Sequence, residues 1–131
     1  MSESISLYDR IGGAAGVRGL VERFYQHMDT DPAVASIRAM HPASLEPSIQ
    51  KLYEFLSGWL GGPPLYIEKR GHPRLRRRHL PFAIDRSAAA QWMMCMERAL
   101  AEVELDQHSK RLLLTRFSEV ADFMRNRSEL V

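Results

Sequence analysis

The residues best suited to chemistry lie between Gly71 and Phe82, in the run Gly-His-Pro-Arg-Leu-Arg-Arg-Arg-His-Leu-Pro-Phe. His79 stands four residues after Leu75, so on one helical turn the two side chains share a face, flanked by Arg74, Arg76, Arg77 and Arg78. Pro73 suits the first turn of such a helix and Pro81 cannot continue it, which predicts a short helix with His79 at its end. An imidazole constrained on both sides in this way is suited to ligation. The same residues also fit a plainer arrangement, a solvated basic patch beside an ordinary packed histidine.

Five histidines are present, but none pairs at the spacing of a zinc or dimetal site, and there is no His-Glu-x-x-His motif or Cys-His cluster. A metal held by protein side chains alone is therefore not expected. Haem brings four ligands of its own and needs only one imidazole from the protein. It also needs a flat apolar slot and cations for its two propionates. Phe24, Leu52, Phe55, Leu75, Phe82, Ile84 and Met96 are candidates for the slot, and Tyr66, Lys69 and the arginine run for the propionates. An aromatic, methionine-rich interior equally suits plain core.

The elements that must position these groups read as helices throughout. Ser6 to Ile11 predicts a short helical piece stopped by Gly12-Gly13. From Ala14 to about Met28, Val17, Leu20, Val21, Phe24, Tyr25 and Met28 recur at three- and four-residue steps, one continuous helical face. Asp31 and Pro32 predict an N-cap and first position for a short helix through Val34 and Ile37, and His41-Pro42 an extended corner. A helix is expected from about Leu45 to Leu60, then an irregular loop from Leu65 to His72. Ser87 is the predicted cap of a helix reaching about Glu104, and a last helix should run from about Gln107 to Arg127. No stretch alternates with period two, so the expected fold class is all-α.

With 131 residues the chain is expected to form one domain over 1–131, long enough to bury roughly two-thirds of the surface its unfolded form exposes. Its 18 basic and 16 acidic residues give a net charge of only +2, so charge balance alone indicates no nucleic-acid or membrane partner. The basic charge is local, in Arg70 to Arg78. Cys95 stands alone, which suits a reducing compartment. Met1 to Ser6 lacks the pattern of a secretory leader and no run reaches membrane-spanning length, so a cytoplasmic location is expected.

Several motifs in order carry a family resemblance: Tyr8-Asp9-Arg10-Ile11-Gly12-Gly13, Arg23-Phe24-Tyr25, Phe55-Leu56 to Gly61-Gly62-Pro63-Pro64, Gly71-His72-Pro73-Arg74-Leu75 with Arg78-His79-Leu80-Pro81-Phe82, and Trp92-Met93-Met94-Cys95-Met96. From Leu7 to Arg127 the chain resembles the truncated haemoglobins of the second group. The resemblance implies a two-over-two helical sandwich around haem b, with His79 as proximal iron ligand and the only metal-binding residue. It implies cofactor contacts from Phe55, Tyr66, Lys69, Leu75, Arg78, Phe82, Ile84 and Met96. On the distal, ligand-binding side it implies Tyr25, Ser48, Leu52 and Trp92, with His41 at the corner where the family usually carries phenylalanine or tyrosine. His72 is the rival for iron ligation, but its place ahead of the short helix favours a loop role.

The function implied is reversible binding of dioxygen or another diatomic gas such as NO or CO. Redox turnover, as NO dioxygenase or in peroxidase-like chemistry, would require an electron donor or reductase. The resemblance points away from nucleic acid and membrane as partners, and to a monomer or weak homodimer. Two other classes remain: a nucleic-acid module using Arg70 to Arg78, and a cofactor-free helical interaction protein.

Overall fold

The computed structural model describes residues 5–126, and every helix or strand assigned among them is helical. Helix α1 spans Leu7–Ile11, α2 Gly13–Thr30, a 3-10 turn Pro32–Val34, α3 Ala35–Ala39, α4 Glu46–Trp59, α5 Leu65–Arg70, α6 Leu75–His79, α7 Arg86–Ala101 and α8 Gln107–Phe123. Helix α2 packs on α4, α7 packs on α8, and α2 meets α7, so the four long helices form two pairs laid over one another. This is the expected all-helical two-over-two arrangement.

Periodicity becomes packing directly in α2. Val17, Leu20, Val21, Phe24 and Met28 are all buried, and α7 meets them with Cys95, Met96, Ala99 and Leu100. Burying each large apolar side chain contributes about 1.5–3 kcal/mol, so this seam is a principal source of stability. Burial pushes the Cys95 thiol up to about 11, so it packs as a small apolar group and stays protonated. Aromatic rings link all four long helices. Phe24 lies 5.1 Å from Trp92, Trp92 lies 5.8 Å from Phe117, and Phe117 stacks on Trp59 at 4.9 Å.

The glycines at two breaks have separate reasons. Gly12 ends α1 in the left-handed region, φ 110°, where its N–H donates to the carbonyls of Asp9 and Tyr8. At Gly62 a Cβ would fall 2.4 Å from the Tyr8 ring, so only glycine lets α1 lie across the end of α4.

Four expectations need correction. Leu65–Arg70, expected to be irregular, is helix α5: Pro64 precedes it and accepts from the Glu68 N–H, Glu68 lies in its first turn, Lys69 and Arg70 lie in its last, and Gly71 at φ 82° ends it. Six residues with only Tyr66 buried are too few to show a helical period. Helix α7 is capped by Asp85, whose carboxylate accepts the Ala88 N–H at 2.8 Å, so Ser87 falls inside the first turn, and the helix stops at Ala101 before Glu104. Pro73 lies outside α6, because Arg74 takes the left-handed conformation, φ 47°, and its N–H donates to His72 Nδ1 at 3.0 Å. Helix α8 ends at Phe123, and the expected end at Arg127 lies outside the described residues, as does part of Met1 to Ser6.

Helix α5 is fastened to α4 by Glu54, which is only 2 % exposed. Its carboxylate accepts from Arg70 Nε at 2.6 Å, Gln50 Nε2 at 2.8 Å and Lys69 Nζ at 3.2 Å. The Arg70 hydrogen bond is the largest of the effects that hold the carboxyl down to about 2, against an ordinary 4.5. A carboxyl whose pKa is depressed on folding stabilises the fold fully above its unfolded pKa and loses that contribution as pH falls through the folded one. Thermal melts should therefore show stability falling between about pH 4.5 and pH 2, with a shallower fall in Glu54→Gln, which should also cost about 1–3 kcal/mol at neutral pH by leaving Arg70 without its carboxylate.

Candidate functional site

Helix α6 contributes no fully buried side chain, and five residues are too few to hold a helix by themselves. Hydrogen bonds hold it instead. His79 Nδ1 lies 2.6 Å from the Leu75 carbonyl, four residues back. A carbonyl can only accept, so Nδ1 carries a proton, and in the neutral ring Nε2 is the nitrogen left with a lone pair, the arrangement a metal-ligating imidazole needs. The chain after His79 is clasped by Asn126: its N–H donates to the Ile84 carbonyl at 2.8 Å, its Oδ1 accepts from the Ile84 N–H at 3.0 Å, and its Nδ2 donates to the His79 carbonyl at 3.1 Å. Arg76 adds a longer bond, 3.4 Å, to the Arg125 carbonyl. Asn126 is thus a positioning residue that no sequence signal marks.

On α2, Tyr25 is 7 % exposed, with its ring edge-on to Phe24 at 4.9 Å and to His41 at 5.7 Å. Burial pushes its hydroxyl well above the ordinary tyrosine value of 10.0, so it stays protonated and can donate. Neither Tyr25 Oη nor Trp92 Nε1 has a hydrogen-bond partner among the described residues. Phe24 touches both rings, so one buried phenyl sets two unspent donors on different helices.

His41 is built like His79. Its Nδ1 lies 2.8 Å from the Ile37 carbonyl, again four residues back, so Nε2 keeps its lone pair. Burial, then the Arg38 and His79 charges, lowers its pKa below the ordinary 6.5, against the opposing Ile37 hydrogen bond. Arg38 secures the corner: its Nε donates to Asp29 Oδ1 at 2.8 Å, and its two terminal nitrogens donate to the carbonyls of Pro42 and Ala43 at 2.9 and 2.8 Å. Arg38 also escaped sequence reasoning, because its partners are mostly backbone atoms.

Ser48, Leu52, Phe55 and Trp59 follow one another along a single stripe of α4, all half-buried, while Leu56 and Leu60 turn into the core. With Ile84 and Trp92 half-buried, these elements offer a largely apolar wall that is packed behind and accessible in front. The other expected residues divide. Met96 is fully buried within the core cluster. Tyr66 is buried against Phe55, with the Arg70 guanidinium over its ring. Lys69 is engaged by Glu54, Arg78 is exposed, and Phe82 is 41 % exposed beyond His79. An open cavity of about 550 Å³ beside α6 is walled by Phe55, Leu75, Val120, Phe123 and Met124, together with Arg74, Arg76 and Arg77. It includes none of Tyr25, His79 or Trp92.

The donor set suits haem: one imidazole with a free Nε2, a half-buried apolar wall, and two unpartnered donors on a different side of the core. Comparison with known proteins agrees. The family model of bacterial-like globins matches residues 6–126. The group 2 truncated haemoglobin YjbI of Bacillus subtilis is 38 % identical over 110 residues, 84 % of this chain and 81 % of that protein. Among solved structures, the group II 2-on-2 haemoglobin of Agrobacterium tumefaciens is 43 % identical with a TM-score of 0.93, covering 97 % of this chain and 98 % of that one. The cold-adapted truncated haemoglobin of Pseudoalteromonas haloplanktis TAC125 is 40 % identical with a TM-score of 0.93, over 95 % of this chain and 100 % of that one. The chain belongs to the bacterial-like globins, as a group II truncated haemoglobin that binds haem and oxygen.

Proposed function

We propose that this globin holds haem b through His79 Nε2 and binds dioxygen reversibly beneath Tyr25, Trp92 and His41, with redox turnover such as NO dioxygenation when an electron donor is present. The observation that carries the reading is the hydrogen bond from His79 Nδ1 to Leu75, which fixes the tautomer and leaves the other nitrogen basic. Bound haem would supply the iron centre that takes up a diatomic gas. Leu75, Ile84, Leu52 and Phe55 provide apolar contacts, and Ser48 and Leu52 line the gas side. Arg78, exposed and without an acidic partner among the described residues, is the propionate contact, whereas Lys69 is already committed to Glu54.

His79→Ala should abolish the spectrum of an imidazole-ligated ferrous haem, and added free imidazole should restore it. His72→Ala should leave that spectrum intact, since His72 Nδ1 is engaged with Arg74. Absorption and resonance Raman spectra of both variants check this, and loss of the iron–histidine band in His72→Ala alone would move the ligand to that residue.

Dioxygen held in the pocket gathers partial negative charge on its outer atom, so the unspent donors of Tyr25 and Trp92 form charge-assisted bonds worth about 1.5–3 kcal/mol each. Trp92→Phe should speed dioxygen release roughly ten- to a hundredfold, and the double change with Tyr25→Phe should exceed either single one. Carbon monoxide, less polar at its outer atom, should respond far less. Stopped-flow release rates for both gases test this: equal acceleration would make Trp92 a steric gate.

His41 adds a pH dependence with a definite sign. Facing Tyr25 and sensing Arg38 and His79, it is neutral at pH 7, and its Nε2 is then an acceptor with no proton to give. Protonation turns Nε2 into a donor, so dioxygen release should slow as pH falls below about 6.5, the ordinary histidine value. His41→Phe should give a flat profile over the same range. A wild-type profile that is already flat would place His41 outside the gas pocket.

A further inference from the structure

Helix α6 and its flanks carry the densest unpaired charge in the molecule. Arg10, Arg18, Arg38, Arg70, Arg98 and Arg125 each lie against a carboxylate of Asp or Glu. Arg74, Arg77 and Arg78 have no acidic partner among the described residues, and Arg76 reaches only a backbone carbonyl. All four are exposed, on the turn of helix that ends in His79. Two apolar side chains continue the same surface: Leu80 is 45 % and Phe82 41 % exposed.

The protein keeps this charge concentrated although its net charge is only +2, and like charges four residues apart on a helix oppose its formation. If Arg78 meets a propionate, as argued above, three cations remain uncompensated. A compact cationic rim around exposed apolar residues suits a small, transient protein contact. Electron-transfer encounters lie at the low end of interface size, below about 1,200 Å², and are steered by complementary charge. A duplex or single strand would call for cations spaced along a track of phosphates, whereas these four lie within five consecutive residues.

We propose that Arg74, Arg76 and Arg77, with Leu80 and Phe82, form the docking surface for an acidic one-electron carrier protein that reduces the haem held by His79. This rests on the haem reading above. In the step, one electron leaves the reduced carrier and converts ferric haem to ferrous; the carrier is oxidised by one electron, and no bond is made or broken. Docking against the histidine-bearing turn gives the electron a short path to the cofactor.

The test uses a plant-type [2Fe–2S] ferredoxin, a small acidic carrier, as the probe. Reduced ferredoxin is mixed with the ferric holoprotein under carbon monoxide in a stopped-flow instrument, between about 20 and 300 mM salt, a range over which screening becomes strong. The wild-type rate should fall steeply with salt. The triple variant Arg74→Glu, Arg76→Glu, Arg77→Glu should be slower at low salt by at least about tenfold and lose that salt dependence. Reduction by photoreduced lumiflavin, an uncharged donor, should be the same in both, and the corresponding triple lysine variant should keep most of the ferredoxin rate. Calorimetry with oxidised ferredoxin reads the same surface without haem chemistry, so weaker binding by the glutamate variant supports docking even in a preparation whose spectrum fails the His79 assignment. An unchanged ferredoxin rate and affinity in the glutamate variant would overturn the proposal. So would tighter binding of a 20-base-pair DNA duplex than of ferredoxin at equal salt, lost on the same substitutions, which would make the patch a nucleic-acid surface.

Discussion

The seam between α2 and α7, with Phe24 at its centre, is the constraint on which the remaining structure depends. Phe24 is fully buried and touches the rings of both Tyr25 and Trp92, so the relative position of the two candidate donors is set by one phenyl group in the core. From Trp92 the contacts run through Phe117 to Trp59, which brings α8 and α4 into the same frame. Packing at crystal-like density transmits a change of volume to its neighbours. A smaller residue at Phe24 would therefore shift Tyr25 and Trp92 as well as cost core stability.

The opposite side of the site obeys a different rule. Helix α6 has no fully buried residue and is bordered by an open cavity, so hydrophobic burial cannot hold it. Its order comes from directed bonds: His79 to Leu75, Asn126 to His79 and Ile84, and the cap on Arg74. Arg74 also holds a left-handed backbone conformation that costs a non-glycine residue about 1–2 kcal/mol. A densely packed half around Phe24 thus stands beside a turn that is hydrogen-bonded and lightly packed. Ligation of a cofactor by His79 would add the one strong tether this turn lacks.

These two regimes also explain what was legible in the sequence. Apolar spacing exposed α2, α4, α7 and α8, because a long helix that buries one face must repeat its apolar residues every three or four positions. Leu20, Phe24 and Met28 could hardly be read otherwise. Helix α5 was illegible: six residues with only Tyr66 buried have no period to detect, and its real determinants, Pro64 before it and Gly71 after it, read equally well as loop punctuation. Ser87 is a good cap by residue type, but so is Asp85 two residues earlier, and the extended backbone at Asp85 puts the cap there.

The site shows the same division at the level of single residues. His79, Tyr25, Trp92 and His41 are visible by side-chain type and family pattern, but the partners that orient the two histidines, and the packing on Phe24 that leaves the other two donors unspent, are not displayed in the sequence. His79 and His41 are both fixed by a backbone carbonyl four residues earlier, and every residue has such a carbonyl, so the pattern carries no signal. Arg38 and Asn126 likewise act on backbone atoms of residues 42, 43, 79 and 84. Lys69 shows the converse: its charge suits a propionate, but its tip also lies 3.2 Å from Glu54, a buried carboxylate on the neighbouring helix already bonded by Arg70 and Gln50, so two anions would compete for one cation. Competition of this kind depends on burial, so it can be resolved only when the helices are placed against one another.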